Sequence, residues 1–176
     1  MSSTSKSIYR SAIRRLTYYK ELGDRTFLQL QDADLYYRPN EESNSIAMII
    51  RHLAGNMLSR WTDFLTTDGE KEWRNRNAEF EDIRQSREEL LQLWENGWNC
   101  LFTTLGGLKK KHLKRTIRIR NEEMTVVDAI HRQLAHYPYH IGQIVYIGKL
   151  LRDRNWTNLS IPRAADPPAS GDPAAN

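Results

Sequence analysis

Four long stretches of this chain repeat apolar residues every three to four positions, and almost nothing alternates at every second one. Such a pattern buries its stripes only by packing helix against helix. The first stretch runs from about Ser5 to Gln31, with Ile8, Ala12, Leu16, Tyr19, Leu22, Phe27 and Leu30 on one side. After Arg38-Pro39 a second begins, capped by Asn44 or Ser43 and reaching about Thr67. Its stripe is Ile46, Ile50, Leu53, Met57, Trp61 and Phe64. Ser86 with Glu89 forms a capping-box signature for the third, which carries Leu90, Leu91, Trp94, Trp98, Leu101, Phe102 and Leu105 and stops at Gly106-Gly107. A second capping box, Thr125 with Asp128, opens the fourth, which reaches about Leu151. The expected fold is all-α, a four-helix bundle.

The polar stretch 66–84 opens on an Asp68-Gly69 turn and is too long for a tight helical hairpin. It reads as a long crossover between the second and third helices, and as a lid or a dimer arm around Trp73. Weak alternation over Thr116 to Arg120, and again over Met124 to Val127, allows a short hairpin before the fourth helix, turning at Asn121 to Glu123.

A length of 176 residues fits one domain. The domain is expected over residues 1–161. The segment PRAADPPASGDPAAN, 162–176, is expected to be a flexible Pro/Ala-rich tail, too poor in apolar surface to offset ordering. The single cysteine, Cys100, excludes an internal disulfide. No apolar run is long enough for a membrane helix, and MSSTSKSIYR lacks a signal-like apolar stretch, so a cytoplasmic protein without a membrane partner is expected. The net charge of +4 permits a basic patch. Residues 109–120 hold seven Lys or Arg, but no aromatics are interleaved for base stacking, so nucleic acid is the weakest of the partner readings. Trp-rich helices offer surface for self-association, so a dimeric, non-enzymatic helical module is the alternative to an enzyme.

The candidate chemistry lies in DAIHRQLAHYPYHIGQI. His136 and His140 are four apart, so on a helix they leave the same face and can reach one metal ion. On a helical wheel they lie beside the apolar stripe with Ala129, Arg132, Gln143 and Ile147. On the second helix His52 lies beside its own stripe with Asn56, Ser59 and Asp63. His52, His136 and His140 are therefore the candidate metal ligands. Asn56, Asp63, Arg132 and Gln143 are the candidates to orient them or touch substrate. No catalytic residue is identified. Three imidazoles suit Zn, Ni, Fe or Cu. The expected cofactor is a divalent cation, Zn, Ni, Fe or Mn, and three protein ligands leave positions open for water or substrate. The spacing also fits ordinary surface or core histidines. His112 and His131 lack this context. Pro138, between the pair, removes one helical N–H and is expected to kink the helix.

The motifs NSIAMIIRHLAGNMLSR and AHYPYHIGQI resemble the DinB-like four-helix bundle superfamily. With TDFLTTDGEKEWRNRNAEFED and WTNLSIPR, the chain is similar to an uncharacterised branch of it over about residues 5–163. The resemblance implies a bundle with a long crossover between helices two and three. It also implies one histidine ligand from helix two and two from helix four, here His52, His136 and His140. Relatives implied by it include transferases and isomerases that use a low-molecular-weight thiol, namely bacillithiol, mycothiol or glutathione, and many form homodimers. The extra C-terminal domain of some mycothiol-dependent members is not expected here. A thiol-dependent S-transferase is the enzyme expected from the resemblance.

Overall fold

The structure, a computed structural model, describes residues 3–161, so the expected tail 162–176 lies outside the described residues. Four α-helices form as the apolar periodicity predicts: α1 (Ser3–Phe27), α2 (Ile46–Trp61), α3 (Arg87–Gly107) and α4 (Val126–Arg152). A two-stranded antiparallel sheet, β1 (Thr116–Ile119) and β2 (Glu122–Thr125), precedes α4, so the architecture is mostly helical with a small hairpin rather than purely α. No described helix is long and apolar enough to cross a membrane.

Local chemistry sets the boundaries. Both capping boxes form: the Ser86 hydroxyl accepts from the Glu89 N–H while Glu89 returns to the Ser86 N–H, and Thr125 and Asp128 repeat the arrangement. The cap of α2 is Ser45, not Asn44 or Ser43; its Oγ accepts from the Met48 N–H at 3.2 Å. That helix also stops six residues before Thr67. Asp63 adopts φ 49°, and its carbonyl accepts from the N–H groups of Thr66 and Thr67, which turns the chain out of the helix. In the hairpin, Arg120 and Asn121 have φ 57° and 62°. Two consecutive positive φ values make the tight two-residue turn that matches strand twist. It begins one residue before the expected position.

Leu16, Leu53, Trp61, Trp94, Trp98, Leu101, Ile141 and Tyr137 are fully buried in one core. Helix α1 packs on α4, and α2 packs on both α3 and α4. Nearly every residue of α2 is buried, because the crossover (62–86) covers its remaining side. Arg51 fastens it there by donating to the carbonyls of Glu79, Glu81 and Ile83. Asp68 ties the crossover to the hairpin: its carboxylate accepts from the N–H groups of Arg120 and Asn121 at 2.9 and 2.8 Å. The polar flank of α2 thus meets α4, the crossover and the hairpin turn in one place.

Candidate metal centre

His52 on α2 and the pair on α4 come together there. Each histidine offers a ring nitrogen, and the three nitrogens lie within 4.8 Å of one another. His52 and His140 are buried and His136 is half-buried. The ring centroids are 4.8–5.3 Å apart. No other cluster of this kind occurs among the described residues.

Every ring is oriented through Nδ1. His52 Nδ1 lies 2.9 Å from a Glu79 carboxylate oxygen, His136 Nδ1 3.3 Å from the Gln133 amide oxygen, and His140 Nδ1 3.0 Å from the Gln143 amide oxygen. An oxygen acceptor at Nδ1 calls for the Nδ1–H tautomer and leaves Nε2 as a lone pair. The Nε2 atoms of His52 and His136 then face each other at 3.3 Å. Two imidazoles on one tetrahedral ion, each at about 2.0–2.1 Å, set their nitrogens about 3.3–3.4 Å apart. The donor set therefore fits a divalent metal. Burial is the main reason that His136 is pushed down to about 3, helped by His140, His52, Arg60 and Arg74. Burial likewise lowers His140, so both are neutral and ready to ligate near pH 7.

Glu79 comes from the crossover. Burial opposes its ionisation, but hydrogen bonds from His52 and Arg74 outweigh that and hold its carboxyl below the usual range. Arg74 grips it with two bonds, Nε to Oε1 at 2.7 Å and Nη2 to Oε2 at 2.9 Å. Gly55 makes this approach possible, since a Cβ there would sit 2.3 Å from Glu79 Oε1. Phe80, also on the crossover, covers the His52 ring with centroids 5.0 Å apart.

The histidines open into a cavity of about 490 Å³, whose other lining residues include Asn56, Gln133, Tyr139 and five arginines: Arg60, Arg74, Arg76, Arg120 and Arg132. A larger, mostly apolar cavity of about 610 Å³, between Ile8 and Tyr9 of α1 and Val127 and Ile130 of α4, shares no lining residue with it. Size does not mark the chemical site here; the converging ligand atoms do.

Of the residues expected to support the site, Gln143 orients His140. Asn56 lines the cavity and accepts from the Tyr137 hydroxyl, which accepts from Trp61 Nε1, so a buried relay aligns α2 with α4. Arg132 is exposed at the rim. Asp63 does not join them: it is exposed in the turn after α2 and lines no part of this cavity. Gln133, Glu79, Arg74 and Arg60 were not singled out from sequence. Gln133 is three residues before His136, a spacing that puts both on one face and signals the contact. Glu79 carries no such signal. The crossover itself forms one wall of the cavity, with Trp73 turned outward and 60% exposed.

Fold and site together define a mostly helical protein whose three clustered histidines can hold a metal ion. Over residues 3–165 the chain matches the family described as Protein of unknown function (DUF1572), and it belongs to that family. No curated protein matches the chain.

Proposed function

We propose that the chain is a DinB-like four-helix bundle enzyme that holds one divalent cation on His52, His136 and His140 and transfers a low-molecular-weight thiol to an electrophile. The observation that carries the reading is the set of three Nδ1-anchored imidazoles whose Nε2 lone pairs face a polar cavity. Three protein ligands leave room for a further ligand, as catalytic sites require. When bound, a divalent ion lowers the pKa of a thiol or water and so supplies a nucleophile near neutral pH. Glu79 and the two glutamines hold the rings in place and raise their basicity. In the transfer the thiol proton passes to solvent, a carbon–sulfur bond forms and the leaving group departs with its electron pair. One half-buried cysteine and no disulfide suit the reducing cytoplasm where such thiols are kept.

Metal analysis of protein purified without a tag tests the site. About one equivalent of divalent metal is expected in the native protein, and almost none in a His136→Ala/His140→Ala variant. Equal content in both sinks the site. Consumption of bacillithiol, mycothiol or glutathione with an electrophile tests the transferase part, and bound metal without conjugation removes that part alone.

A homodimer is supported by an exposed stripe on α4, Tyr139, Tyr146 and Leu150, spaced to share one face. Sedimentation at micromolar concentration is expected to give a dimer, and a monomer rules it out. The basic run favours nucleic acid less. Ile117 and Ile119 are buried, Arg118 pairs with Glu123 and Arg120 with Glu70.

A further inference from the structure

We infer that the arginine end of the cavity is an anion subsite, built on Arg60, that takes a carboxylate or phosphate group of the substrate. As an anion site it stands on Arg60 and its surroundings; as a substrate subsite it rests on the metal-dependent reading above. His52, Asn56 and Arg60 follow one another at four-residue steps along α2, so they form one strip of the cavity wall. Arg60 is 2% exposed, yet its Nε and Nη1 have no hydrogen-bond partner. Its ion pair, Nη2 to Glu70, is long at 3.8 Å. Leaving donors of a buried cation unmade is costly, and the buried guanidiniums of Arg51 and Arg74 are both well bonded. Room for the Arg60 side chain is made by Gly69, where a Cβ would lie 3.0 Å from both its Cδ and its Nη1.

The charges around Arg60 do not balance. Glu70 is shared by Arg60, Arg74 and Arg120, and Glu79 is taken by Arg74 and His52. Five guanidiniums thus line the cavity against two carboxylates that touch them. Arg76 and Arg132 stand exposed at the mouth. An oxyanion in the cavity supplies the missing charge beside this under-bonded guanidinium. Along α2, His52 and Arg60 are about 12 Å apart in rise, and arginine side chains lean back toward the helix N-terminus. The substrate class is therefore a molecule whose anionic group lies several bonds from the atom that reacts at the histidines.

Calorimetric titration with inorganic phosphate and with succinate, on tag-free protein before and after metal removal by a chelator, tests this. The phosphate and carboxylate arms tell the two oxyanions apart. Binding of at least one is expected in metal-free protein, weakened about tenfold by Arg60→Gln and severalfold by the exposed pair Arg76→Gln/Arg132→Gln. Binding of neither anion overturns the inference, as does unchanged affinity in an Arg60→Gln protein that circular dichroism finds folded. If Arg60→Gln does not fold, the exposed double variant decides, and unchanged affinity there overturns it. Binding that needs metal and ignores Arg60 places the anion on the ion and leaves the metal reading standing. Arg60-dependent binding in a protein that never takes up metal keeps the subsite and sinks the metal reading instead.

Discussion

Helix α2 meets α3 and α4 through two different seams. Toward α3 the contact is dry: Leu53, Met57 and Trp61 join Leu101 and Leu105 in the core, and a Thr104 hydroxyl on the Trp61 carbonyl is one of its few polar bonds. Toward α4 it turns wet beyond the Trp61–Tyr137–Asn56 relay, where His52, Asn56 and Arg60 look across at Gln133, His136 and His140. One helix thus keeps stability on one flank and chemistry on the other. The flank on which a residue sits foretells which property its substitution moves.

The largest effect expected lies on the dry flank. Leu101→Ala should cost about 2–5 kcal/mol of unfolding free energy, because the cavity left behind collapses only in part. Denaturant titration measures it, and the metal content of the folded protein should not change. Lost metal with stability intact would break the division. Next comes Glu79→Gln on the wet flank, which keeps an acceptor but removes the charge behind His52. Metal affinity should fall about 10–100-fold, read by competition with a chromophoric chelator. No change would mean that the His52 ring needs no carboxylate to hold it.

The smallest effect sharpens the comparison through pH. His136 is pushed down to about 3 from an ordinary 6.5, mainly by burial. Between those values the unfolded chain binds a proton that the folded chain does not. Stability from this group is therefore full above 6.5 and drains away as pH falls toward 3. Metal-free protein should lose roughly 1 kcal/mol from His136 between pH 7.5 and 5, allowing for its partial exposure to solvent. His136→Gln should flatten that part of the profile; an unaltered slope would assign it elsewhere.

What sequence made legible was what repeats locally. Four apolar stripes, two capping boxes and a histidine pair are patterns within a few residues, and all appear in the structure. The end of α2 was not legible. Ser43, Asn44 and Ser45 are all able caps, and only the folded geometry chooses Ser45. Extending that helix to Thr67 also carried Asp63 into the histidine stripe, whereas its positive φ takes it out. Glu79 was hidden for another reason. It meets His52 across 27 residues from an aperiodic crossover, and no local pattern encodes such a contact.

The Gly55 gap that admits Glu79 has a consequence in mass action. The crossover supplies no ligand atom from the histidine set, yet it holds one of the rings in the orientation a cation selects. Whatever free energy an ion gains from that orientation is returned to the crossover as resistance to local opening. Amide exchange and proteolytic nicking around Arg74 and Glu79 therefore report on occupancy at a distance, and a loosened crossover is felt by the ion as a faster route of escape.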